Sequence, residues 1–430
     1  PTPARELDPK ITFKNKSNIY IVLSDACQAS HLGTYGYGRN TSPQIDAFAR
    51  DSVVYENAYT NAVITPASVA TIFTGVYPDR HKVRLQGNSL PRVHLTLPEY
   101  LKAKSYATSV IASNFANVAP RYGFARGVDA FIHISAKYDA PKGISIFSEF
   151  RKWLEKAPPA HFSYMHYIHP HFPKVPPEDF PVTFRPDGKK VTLARMNTLT
   201  TKRKTWIAPD AEELQEVTDG YDSSIAWVDS EFGKILSLLR GKKLYDDSMI
   251  IFLADHGEAL GEHGIMGHGR NVYNETSRVP LIIKYPKRMN LQGRVHQLAE
   301  LADIFPTIAA LFGQPLGLDG RNLLANSFEK EMDDRIVVCR TGSHYATYGL
   351  RWKKWHYLIN LFNNREKLFS LTEDPYQDIG ASHPALKTIL KARFLSWYAR
   401  FRNSSGKGAE ISLKSLPASE IEELKTLGYL

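Results

Sequence analysis

Cysteine is scarce in this sequence of 430 residues, since it occurs only at Cys27 and Cys339. Two cysteines are too few for the disulfide framework of a small secreted domain or for a cysteine-rich zinc module. Long apolar runs are missing as well: the longest, residues 19–23 and 249–254, have the length of buried strands and fall far short of the ~20 residues that span a bilayer. The sequence also lacks a signal-peptide pattern. Because it begins at Pro1 rather than Met, we expect an upstream signal peptide or membrane anchor to have been removed.

The composition has no strong bias, which excludes a disordered chain, a collagen-like chain and a coiled coil. Charge, however, is not balanced: 54 lysines and arginines face 44 aspartates and glutamates, which gives a net charge of +10. A basic chain favours anionic partners, such as phosphate esters, sulfated or phosphorylated glycans, an anionic membrane surface or nucleic acid. Charge alone does not select among these partners.

Four apolar runs end in polar residues, which is the pattern of buried strands that deliver side chains to one edge of a sheet. The runs are residues 19–23, 107–112, 162–168 and 249–254. Apolar residues three or four apart predict a helix over residues 211–240, and a second helix is predicted over 301–312. Strands that alternate with helices predict an α/β fold with a large, mostly parallel central sheet sandwiched by helices.

The chain divides into three parts by composition. Residues 1–18 are a polar lead-in, and residues 19–334 form a predicted catalytic α/β domain. Within this domain, residues 174–210 are rich in proline, lysine, arginine and threonine, which predicts an inserted loop or lid. Residues 335–430 are predicted to form a small C-terminal subdomain, with an antiparallel sheet from short strands at 336–340, 346–352 and 355–359 and a helix at 384–401.

Thr65 is a candidate nucleophile because of its place before a helix. It precedes Pro66, and proline fits the first turn of a helix. Thr65 is therefore predicted to be the N-cap residue, with its hydroxyl at the positive end of the helix dipole. That position suits an alkoxide and an incoming anion.

Asp255 and His256 follow a predicted strand and are both able to bind a divalent cation. Asp25, at the end of another strand, and the hydroxyl oxygen of Thr65 would complete a set of three oxygens and one nitrogen. Such a set favours one Mn²⁺ or Zn²⁺ ion over Ca²⁺. The ion would lower the pKa of the hydroxyl and hold an ester oxygen as a Lewis acid.

A series of short motifs lies along residues 18–430. They are Asp25 to Asp46, Thr74-Gly75 with Tyr77-Pro78 and Arg80-His81, His171-Phe172-Pro173, Asp255 to Gly269, Arg278-Val279-Pro280, Asp303 with Pro306-Thr307, and the terminus Leu427-Gly428-Tyr429-Leu430. Together these motifs resemble the sulfatase branch of the alkaline phosphatase superfamily. The resemblance implies one active site at the carboxyl ends of the strands of an α/β sandwich.

The resemblance also implies roles for individual residues. It assigns three metal ligands, Asp25, Asp255 and His256. His171 and His268 resemble the residues that contact the substrate anion and protonate the leaving group in this family. Thr65 stands where sulfatases carry the cysteine that is oxidised to formylglycine.

Several departures from the sulfatase pattern argue against a calcium sulfatase. Thr65 cannot become formylglycine, because its Cβ carries a methyl group, so no formylglycine is expected. Val69 replaces the arginine of the sulfatase signature, and Ala26 replaces a second aspartate. Asn114, within Ser113-Asn114-Phe115, lies where the family carries a Lys-X-His pair. Threonine nucleophiles are instead typical of the superfamily's phosphodiesterases and its phosphoethanolamine and phosphoglycerol transferases.

The sequence thus predicts a metal-dependent hydrolase or transferase of phosphoester-type substrates that forms a phosphothreonine at Thr65. His268 or His171 would protonate the departing alkoxide, and Asn88 and Asn114 are candidates to bind a non-bridging oxygen. A second metal ion would need three further ligands, His166, His169 and His171. We expect a single ion, because His166 and His161 are predicted to be strand residues that face away from the site.

Three alternatives remain open. The first is a sulfuric ester hydrolase without formylglycine, and the second is the ectodomain of a phosphoethanolamine- or phosphoglycerol-type transferase. The third is an inactive protein that binds an anionic lipid or glycan, which Val69 and Ala26 favour and the intact set of site residues disfavours. The expected partner is an anionic ester (phosphodiester, phosphonate or sulfate), with a lipid headgroup or glycan as options, and not nucleic acid. The expected location is periplasmic or extracellular, with a membrane tether upstream of residue 1 as an option.

Overall fold

The computed structural model describes residues 17–114, 116–134, 145–204, 210–313, 316–325, 334–342 and 346–402. The predicted lead-in therefore lies almost entirely outside the described residues. The strands are β1 (Ile19–Ser24), β2 (Val53–Tyr59), β3 (Ala107–Ala112), β4 (Ala130–His133), β5 (His161–Tyr167), β6 (Met249–Leu253), β7 (Ala259–Leu260), β8 (Met266–Gly267), β9 (Leu281–Lys284), β10 (Gly293–Glu300), β11 (Ile336–Arg340), β12 (Thr347–Trp352), β13 (Trp355–Asn360) and β14 (Glu366–Ser370). The helices are α1 (Pro43–Arg50), α2 (Thr65–Thr74), α3 (Pro78–His81), α4 (Leu97–Ala103), α5 (Ile146–Leu154), α6 (Leu193–Lys204), α7 (Ala211–Gly241), α8 (Asn274–Ser277), α9 (Ile304–Ala310) and α10 (Pro384–Arg402).

Eight strands form the central sheet, in the order β10-β2-β9-β6-β1-β5-β3-β4. The central strand β1 pairs in parallel with β5 on one side and with β6 on the other. β9 runs antiparallel to both of its neighbours, β2 and β6. All six residues of β1 are buried, which explains why its sequence is a continuous apolar run rather than an alternation. The prediction of a large, mostly parallel sheet is confirmed.

Helices cover both faces of this sheet. Tyr20 packs against Phe150 of α5, with ring centroids 5.7 Å apart, whereas Tyr164 packs against Phe73 of α2 at 5.0 Å. Tyr20 is paired with Ser163 across the sheet, so Tyr164, the next residue of β5, points to the opposite face. α2 and α5 therefore lie on opposite faces, as the predicted sandwich requires.

The long helix α7 matches the helix predicted over residues 211–240. It begins after Asp210, whose carboxylate accepts a hydrogen bond from the backbone N–H of Glu213 at 2.9 Å. Glu213 reaches back to the N–H of Asp210, which completes a capping box. The helix predicted over 301–312 is shorter in the structure, where a 3₁₀ turn at Leu301–Asp303 precedes α9. No helix within the described ranges is both long enough and apolar enough to cross a membrane.

The inserted segment at residues 174–210 is not a loop throughout, since it contains α6. Arg185 and Arg195 of this segment both bind Glu216 of α7, at 2.5 and 2.6 Å. The prediction of a loop missed α6 because its sequence is dominated by polar and basic residues, which leaves little apolar periodicity to detect. Residues 205–209 lie outside the described residues.

A second, antiparallel sheet follows near the C-terminus, in the order β11-β12-β13-β14, with α10 beside it. This confirms the predicted small antiparallel sheet and the helix at 384–401, and it adds β14, which the sequence did not predict. Arg340 of β11 forms a parallel bridge with Ala62, so this sheet is joined to the segment that leads into α2. The motif at residues 427–430 lies outside the described residues, and the boundary at residues 334/335 stays a prediction.

Candidate active site

The neighbouring parallel strands β1 and β6 carry acidic and histidine side chains just beyond their carboxyl ends. Asp25 follows β1, and Asp255 and His256 follow β6 by two and three residues. All three side chains are fully buried, and their ligand-type atoms lie within 4.8 Å of one another. The structure thus brings together the three residues that the sequence predicted as metal ligands.

Asp25 is fixed through only one of its two carboxylate oxygens. Its Oδ2 accepts a 2.6 Å hydrogen bond from the side-chain amide of Asn114, and Nε2 of His166 lies 2.9 Å from the same oxygen. Its Oδ1 has no hydrogen-bond partner among the described residues. The prediction that His166 faces away from the site is therefore wrong, whereas His161, at the start of β5, does lie away from it and contacts Tyr20 at 2.6 Å.

Asp255, like Asp25, is held through only one of its carboxylate oxygens, in this case by backbone N–H groups. Its Oδ1 accepts hydrogen bonds from the N–H groups of Ala26 at 3.1 Å and His256 at 3.0 Å. Its Oδ2 is buried without a hydrogen-bond partner among the described residues. Burial, together with the nearby Asp255 carboxylate, raises the pKa of Asp25 well above its ordinary value. Two buried carboxylate oxygens without donors, beside an imidazole nitrogen, fit a bound divalent cation.

Thr65 is the first residue of α2 rather than its N-cap, because the carbonyl of Ile64 already accepts the first helical hydrogen bond, from Ser68 at 3.1 Å. The helix therefore begins one residue earlier than predicted, and the hydroxyl of Thr65 still lies at its positive end. Oγ1 of Thr65 lies 3.3 Å from Nε2 of His256. Ser68 donates to the carbonyl of Asp255 at 2.7 Å, which ties the start of α2 to the segment that carries the ligand-type residues.

His171 and His268 lie next to this cluster. The ring centroid of His268 is 4.2 Å from that of His256 and 5.0 Å from that of His171. Nδ1 of His268 lies 2.6 Å from Oε2 of Glu258. Burial and the neighbouring His268 hold the pKa of His171 well below its ordinary value. The structure therefore brings both predicted histidines to the site.

Glu258 and Lys174 were not singled out in the sequence. Glu258 lies inside the 255–269 motif, which was the available signal, but Lys174 precedes it by 84 residues. Nζ of Lys174 donates to Oε1 of Glu258 at 2.8 Å, and both side chains are buried. Burial alone would raise the pKa of Glu258, but the charges of Lys174 and His268 outweigh it and lower that pKa well below the ordinary value.

The two asparagines have different surroundings. Asn114 donates to Asp25, so its amide belongs to the cluster of ligand-type residues. The side-chain oxygen of Asn88 accepts hydrogen bonds from the backbone of Arg84 and Leu85, both at 3.0 Å, and so closes its own turn. The roles of both asparagines in binding a substrate oxygen stay predictions.

A second metal site through His166, His169 and His171 has no support in the described part of the chain. The group of Asp25, Asp255 and His256 is the one set of three such residues found there with ligand atoms in mutual reach. The ring of His169 instead packs against Trp227, with centroids 4.4 Å apart.

Comparison with known proteins agrees with this fold. The sulfatase family model matches residues 17–314. The iduronate 2-sulfatase of Mus musculus is 25% identical over 384 residues, which cover 70% of this chain and 69% of that protein. The multifunctional alkaline phosphatase superfamily protein PehA of Trinickia caryophylli is 24% identical over 416 residues, which cover 77% of this chain and 80% of that protein.

Solved structures show the same fold. The phosphonate monoester hydrolase of Agrobacterium radiobacter superposes with a TM-score of 0.71 at 19% identity, covering 90% of this chain and 96% of that one. A 2-O GAG sulfatase superposes with a TM-score of 0.74 at 18% identity, covering 92% of this chain and 95% of that one.

Proposed function

This chain belongs to the sulfatase family, and from that membership we propose that it is an ester hydrolase in which Thr65 is the nucleophile. The substrate is an anionic phosphoester-type compound, with a phosphodiester or a phosphonate monoester as the leading classes. One observation carries the proposal: the hydroxyl of Thr65 lies at the start of α2, 3.3 Å from Nε2 of His256. The same nitrogen lies 3.8 Å from the carboxylate of Asp25 and 3.4 Å from that of Asp255. A hydroxyl in these surroundings can react as an alkoxide.

Asp25, Asp255 and His256 would hold one divalent cation, with the oxygen of Thr65 as a further ligand. The bound cation would favour the alkoxide form of Thr65 and offset negative charge on the ester. The imidazole nitrogen and the small number of ligands favour Mn²⁺ or Zn²⁺ over Ca²⁺, which takes six to eight oxygens.

Side chains of this protein supply the nucleophile and transfer the protons. The alkoxide oxygen of Thr65 attacks phosphorus, and a new O–P bond forms as the bond to the leaving oxygen breaks. The leaving oxygen takes a proton from Nε2 of His268, the ring nitrogen opposite the one that faces Glu258. His268 then accepts a proton from the water that attacks the phosphothreonine, which restores the Thr65 alkoxide and releases the phosphorus product.

Sulfate ester hydrolysis is the second candidate, and the names of relatives such as iduronate 2-sulfatase favour it. It would have to proceed without the aldehyde hydrate of formylglycine, since threonine cannot form one, and with the apolar Val69 where the family carries arginine. A transferase would use the same first step and pass the phosphoryl group to an acceptor hydroxyl. A binding protein without activity would not need the intact set of Thr65, His171 and His268.

Parallel turnover assays test the proposal. Aryl esters of a phosphodiester, a phosphonate monoester and a sulfate are compared with Mn²⁺ or Zn²⁺ present. We expect cleavage of the phosphodiester or phosphonate by the wild type, its loss in Thr65→Ala, and its retention in Thr74→Ala, a matched change at the other end of α2. Preferential cleavage of the sulfate would contradict the phosphoester assignment, and equal rates in Thr65→Ala and wild type would contradict the nucleophile.

A further inference from the structure

Two buried side chains, Glu258 and Lys174, form a continuous line that leads from the partly exposed His268 of the site into the inserted segment. Nδ1 of His268 lies 2.6 Å from Oε2 of Glu258, and Nζ of Lys174 lies 2.8 Å from Oε1 of the same carboxylate. Oε2 of Glu258 thus faces His268 of the site, whereas Oε1 faces Lys174, the first residue of the inserted segment. The side-chain exposures of Lys174 and Glu258 are 5% and 1%, so this is an interior ion pair and not a surface contact.

We propose that Glu258 and Lys174 are positioning residues for the proton donor His268, an inference that rests on the proposed function. A histidine ring that donates Nδ1–H to a carboxylate has a fixed orientation and tautomer, with Nε2 on the opposite edge. Glu258 therefore turns Nε2 of His268 toward the ester. Lys174 holds the second oxygen of Glu258, so the carboxylate cannot rotate away from the ring without losing a buried ion pair.

The backbone around Lys174 fixes where its ammonium lies. Lys174 has a left-handed φ of 62°, and its N–H donates to the carbonyl of His171 at 3.1 Å, so one turn carries both residues. Its carbonyl oxygen lies against Gly220 of α7, where a Cβ would come within 2.7 Å of it. The same Cβ would lie 2.8 Å from Cε of Met196 in α6. Only glycine at position 220 thus allows the start of the insertion to approach α7 this closely.

The main chain of Glu258 is held independently of Lys174. Its carbonyl accepts a hydrogen bond from the side-chain amide of Gln28, and the N–H of the preceding Gly257 donates to the carbonyl of Thr276 at 2.9 Å. Loss of the Lys174 ammonium is therefore expected to free the carboxylate group rather than to move the loop. Binding of a cation by Asp25, Asp255 and His256 should be unaffected, since neither Lys174 nor Glu258 is one of these residues.

A misplaced proton donor leaves a characteristic signature. An ester with a good leaving group departs without a proton, whereas a poor leaving group needs one in the transition state. A positioning defect therefore lowers kcat/KM, which covers the steps up to departure of the leaving group, more as the pKa of the leaving alcohol rises. A general structural defect lowers kcat/KM by the same factor for every ester.

The test is a series of aryl esters with leaving phenols of increasing pKa, assayed on wild type, Glu258→Gln, Lys174→Met and Lys174→Arg. Lys234→Met is the matched control. It removes a lysine whose 2.6 Å ion pair is formed with Glu231 of α7 and not with Glu258. With the poorest leaving group we expect kcat/KM to fall by about 10- to 100-fold in Lys174→Met and Glu258→Gln, but by less than about threefold with the best. Lys174→Arg should restore most of the lost rate, and bound metal measured by elemental analysis should stay at the wild-type level.

Gly220→Ala serves as a second variant that keeps all three side chains. It should displace Lys174 and show the same dependence on the leaving group, to a smaller extent. Losses that are equal across the series, or absent in Glu258→Gln and Lys174→Met, would overturn the positioning role while wild-type turnover and its loss in Thr65→Ala uphold the proposed function. If wild type and Thr65→Ala turned over the esters equally, the proposed function itself would fail.

Discussion

Two groups of buried carboxylates in this protein have opposite surroundings. At the junction of the two sheets, Glu300 and Asp303 both bind Arg335, at 2.7 and 2.6 Å. The second oxygen of Glu300 accepts from Asn61 at 2.8 Å, so each charge has a partner. At the ends of β1 and β6, Asp25 and Asp255 each leave one buried oxygen without a hydrogen bond from any described residue.

This difference separates a structural role from a functional one. A buried carboxylate that is paired with arginine contributes to the position of two elements, and breaking the pair leaves an uncompensated charge. A pair of buried carboxylates with unsatisfied oxygens costs stability unless a cation or a ligand compensates it. The charges of the junction are therefore compensated within the protein, whereas the unsatisfied oxygens of the site fit compensation by a bound cation or ligand.

The largest expected effect on stability comes from breaking the junction. Arg335→Met leaves Glu300 and Asp303 buried without their cation, so we expect the free energy of unfolding to fall by about 3 to 5 kcal/mol. Urea unfolding measures this change. Arg393→Met is the control, because Arg393 pairs with the exposed Asp334 at 2.9 Å and should cost less than about 1 kcal/mol. A loss in Arg335→Met no larger than in the control would remove the distinction between the two groups.

The second effect separates activity from stability at the site. Asp25→Asn removes a ligand-type oxygen and one of two mutually repelling carboxylates, so we expect turnover to fall by about 100- to 1000-fold or more. The metal-free variant should unfold at the same urea concentration as wild type or at a higher one. Turnover is measured with Mn²⁺ or Zn²⁺, and unfolding is measured in the presence of a chelator. A metal-free Asp25→Asn protein that unfolds as early as Arg335→Met would mean that Asp25 is structural.

The smallest effect concerns Asp229 of α7, a buried carboxylate held by backbone N–H groups. It accepts hydrogen bonds from Ile45 at 2.8 Å and Gln44 at 3.1 Å, and burial raises its pKa from 3.8 to about 7. At this position the folded protein therefore keeps a proton that the unfolded chain has lost, and the contribution of Asp229 to stability declines as the pH rises from about 4 to 7. Asp229→Asn should reduce this decline in urea titrations at several pH values. An unchanged slope would show that Asp229 does not titrate in this range.

The sequence predicted the site well where local chemistry and topology coincide. Apolar runs that end in Asp25 and in Asp255-His256 predict neighbouring strand ends, and the structure places these residues together. His166 was assigned to the wrong side because every residue of β5 is buried, so alternation along the strand gives no sign of which side chain faces the site. Lys174 could not be found, since its pairing with Glu258 depends on how the insertion packs against Gly220.

We propose that Thr65 becomes covalently phosphorylated during turnover. We expect His268→Ala to slow hydrolysis of the phosphothreonine more than its formation. The variant is given a phosphodiester or phosphonate monoester with a good leaving group, in the presence of Mn²⁺ or Zn²⁺. Intact-protein mass spectrometry after rapid acid quenching, followed by peptide mapping, would then detect the adduct. We expect one phosphorus-containing adduct for each chain, located on the peptide that carries Thr65. Turnover without any adduct, or an adduct on another residue, would contradict the role of Thr65 as the nucleophile.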